Sequence, residues 1–344
     1  MTHKNNLEDE KPIIGITIGD PNGIGPEIIL KSLAHNHILR LCTPVIYGSM
    51  KVLSKYRKLL NLDEWAIQQI NSIEQINPKK TNLINTIGNK NIEIQPGTST
   101  SEAGELAYSS ILQAAKDLQT GHLHALVTAP INKNNIQNEN FDFVGHTEFF
   151  AHFFQSKTLM LLVAETLKVG LITTHLPLRH VAQHITADRL NEKIQILQKS
   201  LKQDFNIPKP KIAILGLNPH AGEEGLLGDE EQKTIRPVII ELKKKGILVF
   251  GPFPADGFFG SGEYKKYDAI LAMYHDQGLV PFKTLAFDSG VNFTAGLPII
   301  RTSPDHGTAY NIAGKGIADH TAMLEAIFKA IDIVKNRQET LKNA

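Results

Sequence analysis

The chain has 344 residues, 42% of them apolar and 21% charged, with a formal net charge of +1. These proportions are ordinary for a globular protein; the length suits two α/β lobes, and the near-neutral charge offers no broad basic field to nucleic acid or an anionic membrane. One cysteine, Cys42, excludes an internal disulfide and any Cys-rich zinc site, so a bound metal must use histidine or carboxylate ligands.

The opening MTHKNNLEDEKP is polar and lacks the apolar core of a signal peptide. PIIGITIG reads as a first strand. PEIILKSLA then opens a helix, with Pro26 at a favoured first-turn position. TPVIYG is a second strand. The stretch from Asn71 to Gly97, rich in Asn, Ile and Lys, reads as loop with short strands. Ser99 and Glu102 have capping-box spacing before a helix from about Glu102 to Thr120, and Gly121 suits its end. HALVTAP is a further strand. LMLLVA is far too short to span a membrane, which together with the polar start predicts a cytoplasmic protein. Leu190, Ile194, Leu197 and Leu201 mark an amphipathic helix, and Met323, Ile327, Ala330, Ile331 and Val334 mark a final one. The alternation predicts an α/β protein whose mostly parallel sheets carry helices on both faces. No repeat or Pro/Ser-rich linker marks a domain boundary.

Three histidines recur in one kind of place. His175 follows the apolar run Val169 to Thr174, His220 follows Ile212 to Leu217, and His275 follows Ala269 to Tyr274. Each run reads as a buried strand, and ligands of open α/β sheets bind beyond the carboxyl ends of parallel strands. Three imidazoles plus an open position make a catalytic divalent-metal site. A histidine in a loop also commonly caps a helix or bonds the backbone.

The remaining motifs leave alternatives open. GDPNGIGPE, Gly19 to Glu27, lies between strand and helix. It lacks the third glycine of a dinucleotide fingerprint, and TPVIYGS ends without the ribose-binding carboxylate. It reads better as a tight turn. RTSPDHGTAYNIAGKGIAD, Arg301 to Asp319, carries His306, Gly307, Gly314 and Gly316; it is either a surface that nucleotide can approach closely or a flexible connection. GHTEFF sets His146 and Thr147 beside Glu148. Lys283, Asn292 and Arg301, expected near the carboxyl ends of strands, suit a phosphate or carboxylate ligand or else are surface polar groups. Asp256 and Asp276 could orient ligands or move a proton, or could be turn residues.

Taken in order, GDPNGIGPE, LVTAPINK, GHTEFF, TTHLPL, GLNPHAGE, PADG, AMYHDQG and GLPIIRTSPDHGTA resemble the 4-hydroxythreonine-4-phosphate dehydrogenase family of pyridoxal phosphate biosynthesis over nearly the whole chain. HGTAYNIAGKGIA also resembles the adenosine-binding loop of the isocitrate and isopropylmalate dehydrogenase superfamily. The resemblance implies two α/β/α lobes, 1–139 plus 305–344 on the cofactor side and 140–304 bearing metal and substrate residues and dimer contacts, with the active site in the cleft between them. It makes His175, His220 and His275 the ligands of one divalent ion (Zn, Mg, Mn or Co), and His146, Thr147, Lys283, Asn292 and Arg301 the substrate contacts. It places NAD or NADP on the loop of His306, Gly307 and Gly314.

The implied reaction oxidises 4-phosphohydroxy-L-threonine to a β-keto acid that decarboxylates to 3-amino-2-oxopropyl phosphate, in a homodimer with a shared active site. A paralogous dehydrogenase of a phosphorylated threonate is the nearest alternative. A phosphate acyltransferase on the same fold would need no histidine triad, and a non-catalytic metal- or nucleotide-binding protein would need no substrate groups.

Overall fold

Short apolar runs bounded by turn residues make strands here, and amphipathic stretches make the helices that cover them. The computed structural model describes residues 11–342 apart from His35, Asn36, Asn89, Asn91 and Asp288. The opening stretch up to Glu10, read above as polar and unlike a signal peptide, lies outside the described residues.

The described residues fall into two compact units, one within Met1–Phe149 and Ile299–Val334, the other within Phe150–Pro298 and Lys335–Ala344. The resemblance implies approximate lobe boundaries at 139 and 304; the compact units change after Phe149, Pro298 and Val334. His146, Thr147 and Arg301 consequently belong to the first unit.

The first unit runs β1 (Ile13–Thr17), α1 (Gly25–Leu33), α2 (Ile38–Leu41), β2 (Thr43–Gly48), α3 (Met50–Leu59), β3 (Ile67–Ile70), β4 (Thr81–Asn85), α4 (Ser101–Gln119), β5 (Ala125–Thr128) and the start of α5 (His146–Phe153). Its sheet has the order β3-β4-β2-β1-β5 and ends on β12 (Arg301–Pro304), with every pairing parallel. β2 and β5 are buried along their whole length, which requires cover on both faces and explains their unbroken apolar runs.

The second unit contains β6 (Leu159–Val163), β7 (Lys168–Leu171), α6 (Leu178–Val181), α7 (Ala187–Gln203), β8 (Ile212–Leu215), α8 (Arg236–Lys244), β9 (Val249–Phe253), α9 (Ala255–Gly260), β10 (Ala269–Ala272), α10 (His275–Ala286) and β11 (Val291–Ala295). Their order is β11-β6-β7-β10-β8-β9. Only β6 runs against its neighbours; β7, β10, β8 and β9 are parallel. α11 (Thr321–Lys342) closes the chain.

The predicted helix faces pack as expected: Leu190, Ile194, Leu197 and Leu201 of α7 are buried, as are Met323, Ile327, Ala330, Ile331 and Val334 of α11. One cap differs. Thr100, not Ser99, caps α4, its hydroxyl accepting from the Ala103 amide at 3.2 Å. The Ser99 hydroxyl is instead engaged by the Asn132 side chain. Among the described residues no helix is long and apolar enough to cross a membrane.

Candidate functional site

β7, β10 and β8 are adjacent and parallel, so the loops leaving their carboxyl ends emerge at one edge of the second unit's sheet. His175 lies four residues past Leu171, His275 three past Ala272, and His220 five past Leu215. The apolar runs outlast the strands by two or three residues. Ladder-like bonds from the Ile172 amide to the Ala272 carbonyl (2.9 Å) and from Thr173 to Met273 (3.2 Å) extend the β7–β10 pairing beyond the strand ends.

The rings of His175 and His275 have centroids 6.0 Å apart. Both line a cavity of about 250 Å³ with Tyr274 and Asp276. His275 Nδ1 lies 2.7 Å from Asp276 Oδ1, a carboxylate–histidine pairing of the kind that orients a ring around a metal, with Nε2 as the nitrogen able to coordinate. His220 is exposed, with Nδ1 3.3 Å from Glu223. Among the described residues no three His, Cys, Asp or Glu side chains form a group able to hold a metal ion. The structure thus draws His175 and His275 together without assembling a ready-made three-histidine cluster.

The His220 loop is unusual. His220, Ala221, Gly222, Glu223 and Glu224 all have positive φ, a conformation costing non-glycine residues about 1–2 kcal/mol each. Such strain persists only where the surroundings enforce it. Buried Glu231 does so: its carboxylate accepts from the amides of Leu217 (2.7 Å) and Asn218 (2.8 Å) and from the Asn218 side chain (2.9 Å). Gly222 is required there, because a Cβ would stand 2.7 Å from Glu231 Oε2. Neither Glu231 nor Asn218 was given a role from sequence: Asn218 stands inside GLNPHAGE, and Glu231 lies eight residues beyond it.

In the first unit, Arg301 is 2% exposed and donates to the Thr128 hydroxyl through Nε (3.0 Å) and Nη2 (2.6 Å). Burial pulls its guanidinium down to about 9, against an opposing pull from Glu148, so it is a cation at neutral pH. His146 and Thr147 are the first two residues of α5. Burial first, and then the cations Arg301 and Lys133, push His146 well below its ordinary value, so its imidazole is neutral. Its Nε2 is buried without a hydrogen-bond partner among the described residues. A buried polar atom left in this way is usually completed by water or ligand. Lys133, just beyond β5, joins this cationic cluster; nothing in LVTAPINK set it apart from an ordinary surface lysine.

The other candidates do not sit at strand carboxyl ends as expected. Arg301 opens β12, Asn292 is the second residue of β11, and Lys283 lies within α10. The apolar run before Arg301 is the turn between strands, which inverts the expected polarity. Asn292 Oδ1 is also buried without a partner among the described residues. Asp256, in the first turn of α9, is exposed beyond β9.

Four amides of the GDPNGIGPE turn are already engaged within the protein. Asp20 donates its amide to Pro130, Gly23 to Asp20 and Ile24 to Thr308. The Asn22 amide is taken by the Asp20 side chain at 2.8 Å. In the later glycine-rich loop, Gly314 packs against Pro96, where a Cβ would come within 2.6 Å, whereas a Cβ at Gly307 would meet nothing within 4 Å. His306 adjoins that open position and lies 3.2 Å, through Nδ1, from the Gly307 carbonyl.

Ligand-bearing loops at the carboxyl edge of parallel strands are characteristic of α/β enzymes. Residues 40–330 match the family described as pyridoxal phosphate biosynthetic protein PdxA. The chain belongs to that family and is an oxidoreductase. It is 47% identical over 334 residues to a 4-hydroxythreonine-4-phosphate dehydrogenase of Bacteroides thetaiotaomicron, covering 96% of this chain and 91% of the relative. A protein of Oceanobacillus iheyensis named putative D-threonate 4-phosphate dehydrogenase is 39% identical, with 95% and 99% covered. The crystal structure of a 4-hydroxythreonine-4-phosphate dehydrogenase from Klebsiella pneumoniae superposes with a TM-score of 0.82 at 38% identity, covering 94% and 98% of the two chains.

Proposed function

We propose that this chain oxidises 4-phosphohydroxy-L-threonine with NAD or NADP and a divalent metal, giving 2-amino-3-oxo-4-phosphooxybutanoate, which loses CO2 to form 3-amino-2-oxopropyl phosphate. The carrying observation is the delivery of His175, His275 and His220 to one sheet edge by three adjacent parallel strands, in a chain whose close relatives bear that dehydrogenase name.

The donor set fits a metal. Imidazoles suit zinc best, and magnesium, manganese or cobalt are alternatives. His175, His220 and His275 would hold the ion, and Asp276 would fix the orientation of the His275 ring. When bound, the ion supplies Lewis acidity at the substrate hydroxyl and the nicotinamide accepts the hydride from the same carbon. Oxidation at C3 makes a β-keto acid, whose C–C bond electrons pass into the new carbonyl as CO2 leaves. Asp256 and Asp276 are the carboxylates assigned to orienting a ligand or moving the hydroxyl proton.

Arg301 and Lys133 supply positive charge for the phosphate or carboxylate, while neutral His146 and Thr147 contribute hydrogen bonds without adding charge. Lys283 and Asn292 complete the assigned contacts. The partnerless atoms of His146 and Asn292 support this, since the family resemblance makes both residues substrate contacts. His306, Gly307 and Gly314 are assigned to the cofactor; open space over Gly307 fits a nucleotide.

A homodimer with a shared active site belongs to the same reading. Each histidine loop is followed closely by an exposed apolar side chain: Leu178 after His175, Leu226 after His220 and Val280 after His275, at 72%, 78% and 62% exposure. Exposed apolar side chains beside all three loops suit contact with a second copy of the chain. The relative from Oceanobacillus favours one alternative substrate, a phosphorylated threonate. NADH formation measured with 4-phosphohydroxy-threonine and with D-threonate 4-phosphate decides between them; turnover of the threonate alone would overturn the assignment.

A further inference from the structure

The GDPNGIGPE turn is the most distinctive motif left without a role, and four of its amides are already engaged. Its two carboxylates are both fully buried, a costly placement unless each is satisfied. Both reach the same distant segment, Asp20 through Oδ2 and Glu27 through Oε1, while Glu27 Oε2 has no hydrogen-bond partner among the described residues.

Asp20 Oδ2 accepts from the Tyr310 hydroxyl at 2.6 Å and from the Asn135 side chain at 2.8 Å. Burial and the neighbouring Asp20 push the Tyr310 phenol up to about 12, so it remains a donor at neutral pH. Seven residues on, Glu27 Oε1 accepts from the Ala318 amide at 2.7 Å and from Lys31 at 2.8 Å. Lys31 in turn donates to the carbonyls of Gly316 (3.0 Å) and Ala318 (2.7 Å). Between these anchors the Ile24 amide donates to Thr308 at 2.9 Å. Gly23 lets that strand of chain approach, because a Cβ there would lie 2.9 Å from Thr308. The loop is therefore pinned at Thr308, at Tyr310 and at Gly316–Ala318, while Gly307 faces open space.

We propose that the GDPNGIGPE turn is a clamp that holds the 306–316 loop in its cofactor-accepting form, with Asp20 and Glu27 as positioning residues acting through Tyr310 and Lys31. The inference rests on the assignment of the nicotinamide cofactor to that loop. A loop that visits other conformations binds with an affinity reduced by the fraction of time it is competent. The clamp thus affects cofactor binding without touching the cofactor. It also gives a role to this acidic, glycine-rich strand–helix turn.

The test measures NADH binding to the intact protein by fluorescence, with steady-state constants for cofactor and substrate. Asp20 and Glu27 are too buried to remove safely, so the informative variants are Tyr310→Phe, which deletes one hydroxyl, and Lys31→Met. Each should weaken NADH binding about 10-fold, the scale of one lost charge-assisted hydrogen bond, and leave the substrate KM within about twofold of wild type. Gly307→Trp separates the two levels of the reading. If it leaves NADH affinity unchanged, the loop is not the cofactor site and the clamp falls with it. If it blocks NADH while Tyr310→Phe and Lys31→Met bind normally, the cofactor site stands and the clamp is overturned. Equal losses in cofactor and substrate constants would also overturn it, showing a general structural role.

Discussion

Gln277 joins the exits of two histidine-bearing strands. Its Nε2 donates to the Gly216 carbonyl, beyond β8, at 2.6 Å, while its Oε1 accepts from the Met273 amide, beyond β10, at 2.7 Å. On the other side, the Thr173 hydroxyl donates to the Met273 carbonyl at 2.7 Å. The roots of the His175, His275 and His220 loops are thereby tied to one another by side chains that are not themselves ligands.

Replacing Gln277 with Met should preserve volume but leave the Met273 amide and Gly216 carbonyl unpaired. The expected loss of stability is about 1–3 kcal/mol, and metal affinity should fall roughly 10- to 100-fold, as for other residues that orient ligands. Cobalt titration followed by visible absorption separates these effects. An unchanged cobalt spectrum and affinity, with only a lower melting temperature, would reduce Gln277 to a structural brace.

His175→Ala, His220→Ala and His275→Ala should each abolish metal-dependent turnover while leaving the fold largely intact, because all three side chains are at least partly exposed beyond the strand ends. His220→Ala carries the sharpest information, since that ring is not grouped with the other two in the structure. Full activity after exhaustive chelation, with no metal detected, would remove the catalytic-metal reading altogether.

Much of this was legible because parallel α/β sheets write themselves as apolar runs followed by turn residues. The positions of His175, His220 and His275 followed from that grammar, as did the buried faces of α7 and α11. What stayed hidden depended on contacts distant in sequence. Arg301 reads as the end of an apolar run, yet it opens a strand, because GLPII turns before β12 rather than forming it. Lys133 and Glu231 gain their meaning only from neighbours brought together by folding. Asp20 and Glu27 lie in a motif that reads as a tight turn, and their partners Tyr310 and Ala318 stand almost 300 residues away.

His146 should make stability depend on pH in one direction. Its folded-state value lies below the ordinary 6.5, chiefly through burial and secondarily through Arg301 and Lys133. The unfolded chain therefore binds the proton more readily. The stability associated with the neutral imidazole is fully present above about pH 6.5 and is lost as pH falls towards the folded value. Denaturant midpoints between pH 7 and pH 5 should fall more steeply for the wild type than for His146→Gln. Parallel profiles would show that His146 titrates normally.

Sharing of the active site predicts complementation. A His275→Ala chain and an Arg301→Ala chain, each inactive alone, should regain activity on co-assembly if these groups serve one site from opposite subunits. Sedimentation at assay concentration gives the independent check: a fully active monomer would refute sharing, and loss of dimer in Val280→Asp or Leu178→Asp would locate the interface on the histidine edge.

The phosphate supplies the most direct test of substrate identity. Arg301 is a buried cation held by Thr128 and accompanied by Lys133 and neutral His146. Such a group is costly to bury, Glu148 offsets part of that cost, and the guanidinium fork of donors suits a phosphate. Arg301→Lys keeps the charge but loses the fork of donors. Losing one charged hydrogen bond, worth about 1.5–3 kcal/mol, should cost on the order of 10- to 100-fold in kcat/KM. Removing the phosphate instead, by offering 4-hydroxythreonine in place of its 4-phosphate, should cost more, because several donors are left unpaired together. Remote binding also positions the reacting hydroxyl, so the loss should appear in kcat as well as KM. Arg301→Lys should then narrow the gap between the two substrates. Equal kcat/KM for the phosphorylated and unphosphorylated compounds in the wild type would eliminate phosphate recognition and reopen the choice of substrate.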